Sequence, residues 1–555
     1  RSYGQSSITS LSVRGTSSAQ SGIFWNGINI RMPSLGSTDL SLIPASLFGS
    51  ASLVYGGNSI RYGSGTIGGA VFLEDNPDFS GFLEAGADFW GGSHGELGTN
   101  VHAIVSRKKY YFRLAIHANQ SRNDFQYSDI RGENKDMENA AASGLGFNAH
   151  GALMLNPGSR LELFLWYQEA LREIPPTTSM ERSEAYQSDR AVRSSLQWKS
   201  ILAQGVLNVK TAWFCEYENY TDPGISLNSK IRTNTWYGEA EYLHSFSVIS
   251  TLEMGADITA EQADIDAYEN PEERIWIAAF INYKKHFPRI EWDLVAGARQ
   301  EASRQTLAPF TPSLGFEGPI SSWLRLKSNI SRNYRLPTLN EMYWQPGGNP
   351  DIEPEQSWNA EISLISELFK NEEMLDLNLS ATAYSSYVDN WILWTPRGSL
   401  WYADNVQKVW ARGVELDAAF KVSDERKHAE IGISYTLSRS TNEADGNASD
   451  IKGKQIIYTP LHKAGGWVQA GFGKWLFSCY NNFTGVTYTT SDNQDELPGF
   501  FITDMALRKD FVSKHSRIGI SLRLNNIFNT DYQVVAYRPM PGRTYHLSFS
   551  LTFNK

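Results

Sequence analysis

The sequence predicts an all-β membrane protein: a large antiparallel transmembrane barrel of about 22 strands, with a small N-terminal plug domain in its lumen. Three observations carry that prediction. Segments of about ten residues alternate apolar and polar side chains with a period of two. The 555 residues include 17 Trp, 26 Tyr and 27 Phe although only 41% are hydrophobic, and Trp and Tyr favour places with one apolar and one wet end. Brief turn signals alternate with long polar segments, as in a barrel with tight turns at one rim and long loops at the other.

The C-terminal strand is the clearest element. In "TYHLSFSLTF", Tyr545, Leu547, Phe549, Leu551 and Phe553 form one face, and His546, Ser548, Ser550 and Thr552 the other. The segment before it sets Ile518, Ile520, Leu522 and Leu524 against Gly519, Ser521 and Arg523. "LDLNLSATAY", from Leu375, does the same, and "LELFLWYQ", from Leu161, is a strand with rings on both faces. Helical periodicity is scarce. Turns are read at 156–159 and 317–322, and long polar loops at 168–190, 347–357 and 438–455. In lipid such strands must close into a barrel, because each unpaired edge group costs several kcal/mol. The residues from about 80 onward suffice for on the order of 20 to 24 strands.

Residues 1–75 differ, being rich in Gly and Ser and built of short strands and tight loops; the barrel is assigned to 76–555. A barrel of this width has a lumen that needs a plug. The pieces "SVRG", "WNGINI" and "SLVYGGNSIRYGSGTIGGAVFLE" of this region are similar to the plug of TonB-dependent outer-membrane transporters. So are "RNYRLPTLNEMYW", "GNPDIEPEQSWNAEI", "NVQKVWARGVEL" and "LNNIFNTDYQ" of the barrel. The resemblance covers nearly the whole chain and is most like the BtuB-type cobalamin transporters of Bacteroides-like bacteria. It implies TonB-dependent import across the outer membrane of a Gram-negative bacterium, with cobalamin (vitamin B12) or another corrinoid as substrate. An iron–siderophore or haem is the alternative. It implies as partners the TonB–ExbB–ExbD complex, lipid bilayer with lipopolysaccharide, and a surface-exposed substrate-binding lipoprotein. Arg1 reads as an interior position of a longer precursor, with the TonB box and plug start before it.

Other classes find no support. The net charge is −10 and no dense basic run occurs, which argues against a nucleic-acid partner. Cys215 and Cys479 lack metal-ligand spacing, and no apolar run reaches the roughly 18 residues of a membrane helix. Gly63, Gly65 and Gly68 match G-x-G-x-x-G, but "GAVFLED" follows where a dinucleotide site needs a helix. These glycines are expected to fold a tight plug turn. No catalytic constellation, cofactor or metal ligand set is identified. "DGNASD" (445–450) and "DIDAYENPEE" (264–273) read as solvated loops rather than calcium sites.

Two outward plug tips are expected to meet substrate: one with Arg31, Met32, Pro33, Ser34 and Leu35, the other with Asn58, Ser59, Ile60 and Arg61. Loop residues Trp344, Gln345, Trp394, Trp401 and Tyr402 are expected to join them, although Trp394 also suits a lipid-interface girdle. By the resemblance, Arg14 and Arg61 anchor the plug to acidic wall residues drawn from Glu341, Glu355 and Glu415.

Overall fold

A computed structural model describes residues 4, 7–304, 306–368, 375–398, 400–424, 427–444 and 450–555. The N-terminal region forms a four-stranded sheet from β1 (Ser21–Trp25), β2 (Ile28–Asn29), β3 (Ser50–Tyr55) and β4 (Gly69–Glu74), in the order β2-β1-β4-β3. β1 and β4 run parallel, which requires a long crossover between them. That crossover carries both candidate tips.

The glycine motif sits at its end. A single helical turn, α1 (Ser59–Tyr62), precedes the motif and β4 follows it. Gly63 and Gly65 have φ of +70° and +84°, a region open mainly to glycine. A Cβ on Gly68 would lie 2.2 Å from Thr16 Oγ1. No helix N-terminus is presented, so these glycines serve close backbone packing.

The chain then enters the wall. β5 (Leu83–Gly92) pairs with the last strand, Thr544–Asn554, closing 22 antiparallel strands into a barrel. Strands β6 (Leu97–Ser106) and β7 (Tyr110–Ser121) continue around it. Alternation resolves as anticipated: Tyr545 and Leu547 of the last strand are 60% and 58% exposed on the outer face. One rim carries tight turns such as 157–158 and 203–204, together with Leu83 and Lys555. The other carries the long loops and is the extracellular rim.

Several loops are shorter than the sequence suggested. Strands Ser159–Glu173 and Tyr186–Leu202 take both ends of 168–190, leaving 174–185 between them. The strand Lys427–Asn442 takes the start of 438–455, and Glu355–Leu368 takes the end of 347–357. Polar residues there occupy both faces of the strands toward the rim, where polarity no longer separates strand from loop. Residues 445–449 of "DGNASD" lie outside the described residues.

The sheet is held unevenly. Ile23, Trp25, Ile28, Ile30, Leu47, Phe48 and Leu73 pack on Ala115, Phe164, Trp166, Ala212 and Phe214 of the wall. Trp25 and Trp166 meet edge to face at 5.6 Å. Nearby, Asp75 accepts from Gly49 N (2.8 Å), Arg113 Nη1 (2.9 Å) and Asn148 Nδ2 (2.6 Å), fixing the point where plug passes into barrel. On the opposite edge of the sheet all six residues of β3 are exposed.

Candidate functional site

The first tip rises from β2 toward the extracellular rim. Gly36 turns it, donating to Met32 O at 2.8 Å with a φ of +68°. A Cβ there would come within 2.3 Å of Thr338 Cγ2, so close approach as well as dihedral selects glycine. Thr338 caps α2 (Leu339–Tyr343), a short helix in the loop 336–354, through a reciprocal capping box with Glu341. This loop clasps the tip: Leu339 N donates to Pro33 O (3.0 Å) and Asn340 N to Ser34 O (3.3 Å). Pro33 and Ser34 are therefore buried beneath it, and Met32 packs with Ile231, Ala263, Ile265 and Leu339. Leu35 stays 40% exposed. Arg31 points inward to Ser64 Oγ at 2.9 Å, and burial pulls its pKa below the usual arginine value.

Beside this tip a cleft of about 990 Å³ opens between plug and wall. Met32, Leu35, Thr38 and Asp39 line its plug side; Gln168, Arg172, Asp189, Arg193, Glu216 and Glu218 line the wall. Arg172 bridges the two, with Nη1 at 2.6 Å from Asp39 Oδ2 and Nη2 at 3.2 Å from Asp189 Oδ2. Arg193 pairs with Glu216 and lies 4.2 Å over the Trp166 ring. Four carboxylates thus face two guanidiniums, leaving the cleft acidic. Gln168 Oε1, Arg172 Nε, and Arg193 Nε and Nη1 are buried without a hydrogen-bond partner. Buried polar atoms in that condition are costly, so their convergence on one cleft marks a place shaped for a polar guest. A second cleft of about 720 Å³ adjoins it, sharing Gln168, Arg172 and Asp189 and adding His117 and Asn119.

The other expected contacts lie elsewhere. Asn58, Ser59, Ile60 and Arg61 form no outward tip: Ser59 and Ile60 are buried, and Ser59 N donates to Asn333 Oδ1 at 3.0 Å. The turn signal around Asn58 is absorbed by α1, wedged against the wall. Trp344 packs in the apolar cluster with Met32, while Gln345 is exposed. Trp394 packs with Ile352, Ile392 and Ala403. Trp401, 56% exposed, and Tyr402 stand on the hairpin of Leu375–Arg397 and Leu400–Ser423. None of these four rings or Gln345 lines the cleft.

Arg14 donates from Nη2 to Glu415 Oε2 and from Nη1 to Glu361 Oε2, both at 2.7 Å, and lies 4.6 Å over Tyr384. Arg61 reaches Glu239 (3.3 Å), Glu253 (3.1 Å) and Glu241. Burial would lower both pKa values, but these carboxylates outweigh it and hold both above the usual arginine value. Glu341 and Glu355 meet neither plug arginine. They accept from Arg335 at 3.0 and 2.7 Å, because they stand at the rim, where Glu355 instead accepts from Gln20 of the plug at 2.7 Å. Sequence reasoning missed Glu239, Glu241, Glu253 and Glu361 and the whole wall of the cleft. The available signal was the inward period of "LFLWYQEALRE", in which Gln168 and Arg172 share a face with Phe164 and Trp166.

Residues 44–529 match the family model "TonB dependent receptor-like, beta-barrel", and residues 1–70 match "TonB-dependent Receptor Plug Domain". The chain is 24% identical over 578 residues to the "Vitamin B12 transporter BtuB" of Photobacterium profundum, covering 99% of this chain and 87% of that protein. It is 23% identical to a protein of that name from Vibrio vulnificus, covering 96% and 83%. Among solved structures it superposes on the "Copper transporter OprC" with a TM-score of 0.80 at 15% identity, covering 100% and 93%. The unliganded ferric citrate transporter FecA gives a TM-score of 0.80 at 15% identity, covering 100% and 92%. At such identities the two structures establish the fold alone.

Proposed function

The chain belongs to the TonB-dependent receptors of the Gram-negative outer membrane, and from that premise we propose that it imports cobalamin or another corrinoid. Receptors of this family take up small molecules and draw on TonB for energy. The observation that carries the corrinoid reading is the lining of the cleft beside Leu35. A corrinoid is bulky and edged with amides. Its amide carbonyls suit the open donors of Arg172 and Arg193, and its amide N–H groups suit Gln168 Oε1. Four carboxylates against two guanidiniums oppose an anionic iron chelate by like-charge juxtaposition. The names of the relatives from Photobacterium and Vibrio support the same reading.

Import then follows from population shift. A ligand stabilises the state that binds it best, so release inward requires outside work. TonB with ExbB and ExbD supplies that work by displacing the plug, and a surface lipoprotein at the barrel mouth delivers substrate to the cleft. Neither step makes or breaks a covalent bond in the substrate.

Equilibrium binding and growth rescue with cyanocobalamin, set against ferric siderophores and haem, test the assignment. Cobalamin is expected to bind in the nanomolar range and to support growth. Uptake of a ferric siderophore or haem without cobalamin binding would overturn the corrinoid reading and leave active import standing.

A further inference from the structure

Outside the substrate path, the lipid-facing surface carries charges near the extracellular rim, and several come with an acid. Arg190 stands 3.9 Å from Glu169, and Lys408 stands 3.7 Å from Asp389. Arg412 and Arg439 break that pattern. They are direct register partners on the neighbouring strands Leu400–Ser423 and Lys427–Asn442, and among the described residues neither has a carboxylate within 4.0 Å. Like charges directly opposite one another destabilise a sheet. Arg412 is nevertheless held in place: Nη1 donates to Trp410 O and Thr441 Oγ1, both at 3.0 Å, and Cζ lies 3.8 Å over the Trp410 ring.

Their height on the wall is informative. On the same outward faces Val414 and Leu416 lie below Arg412, and Ile431 and Ile433, 52% and 62% exposed, lie below Arg439. From Ile431 to Leu437 the strand runs roughly 20 Å, which its tilt of about 40° reduces to about 15 Å of height, more than half of an apolar belt about 25 Å tall. The two guanidiniums stand one step above it, flanked by Trp410, where hydrocarbon gives way to headgroups.

We propose that Arg412 and Arg439 together bind the phosphate of a phosphorylated lipid headgroup in the outer leaflet. A guanidinium presents a planar fork that matches two phosphate oxygens. Two guanidiniums borne by directly paired residues of adjacent strands would share one anion and so relieve their mutual repulsion. The lipid occupies a fixed place on the wall beside the hairpin that carries Trp401, independently of which substrate the cleft takes.

The full chain, purified in detergent and loaded with diphosphoryl lipid A or its dephosphorylated form, tests this by native mass spectrometry. Diphosphoryl lipid A is expected to be retained, and the dephosphorylated form is expected to be lost. The double variant Arg412→Gln/Arg439→Gln should retain about tenfold less of the phosphorylated lipid, as loss of charge-assisted hydrogen bonds implies, while Arg412→Lys/Arg439→Lys keeps an intermediate amount. Folding is checked by heat-modifiable mobility on gels. Equal retention by the Gln variant, or equal retention of the dephosphorylated lipid by the native chain, would overturn the proposal.

Discussion

Gln168 separates binding from stability more cleanly than any charged neighbour. Its Oε1 is buried without a partner, so removing it relieves a desolvation penalty rather than breaking a bond. Gln168→Leu is expected to leave the barrel as heat-resistant as the native chain, or slightly more so, while weakening corrinoid binding about tenfold, the worth of one hydrogen bond to a ligand. A melt followed by gel mobility, beside a binding isotherm, reads both. Arg193 is a poorer probe, since its loss strands Glu216. Asp129 in the loop 122–141 offers a pH test. Hydrogen bonds from Lys135 and from the Glu133 and Arg131 amides lower its pKa from 3.8 to about 2. A depressed carboxylate contributes above its unfolded value and loses that contribution as pH falls through the folded one. Amide exchange at Arg131 and Glu133 should therefore be slower in the native chain than in Asp129→Ala at pH above 3.8, and the difference should shrink as pH falls and vanish below about 2. The plug cations Arg14 and Arg61 were legible in sequence as charges in a small-residue region. Of the proposed acidic partners, Glu415 meets Arg14, and Glu341 and Glu355 serve Arg335. Which acid meets which cation depends on strand stagger, which no local pattern encodes.

Among elements, the plug sheet has two unlike sides, and their magnitudes decide which side gives way. On one side seven apolar plug residues pack on five of the wall, and full burial of a large side chain is worth roughly 1.5–3 kcal/mol each. On the other, β3 is exposed, and the contact with the wall runs through the charges of Arg14, Glu361 and Glu415, whose desolvation offsets much of their attraction. The β3 side is expected to move while the apolar seam stays. Gly57 lies just past β3, and its added Cβ would be 2.4 Å from Asn333 Cγ. A Gly57→Cys/Asn333→Cys disulfide, with Cys215 and Cys479 replaced by Ser, should abolish uptake and spare surface binding, and reduction should restore uptake. A Leu47→Cys/Gly146→Cys link, placed where Leu47 Cδ1 is 3.1 Å from the Gly146 Cβ position, should leave uptake near native. Equal loss from both links would mean that the plug leaves as one body. The strands themselves were readable because lipid enforces a period of two along each. The seam was not: inward rings such as Trp166 break the polar-inside pattern, since they face a protein domain rather than water.

For the whole molecule, the fold follows from closure. A sheet of this size in hydrocarbon must leave no edge, so alternation, turn asymmetry and chain length together led to the 22 strands observed. Substrate choice is not written at that scale, because OprC and FecA share the architecture at 15% identity while their names refer to different cargo. The distinguishing quantity is electrostatic. The chain carries −10 overall, and its cleft carries more carboxylates than guanidiniums. An anionic chelate approaching it meets a repulsive field, which salt screens over roughly 8–10 Å at physiological ionic strength. A neutral corrinoid meets no such field. Its association rate should therefore change by less than about twofold between low and physiological salt, whereas an anionic ferric siderophore should associate faster as salt rises. Glu216→Gln/Glu218→Gln should narrow that difference. Stopped-flow association across an ionic-strength series measures both slopes on one preparation. A cobalamin rate that rises steeply with salt would show that charge governs entry for the neutral ligand too, and the assignment of specificity to the cleft's acidic lining would fall.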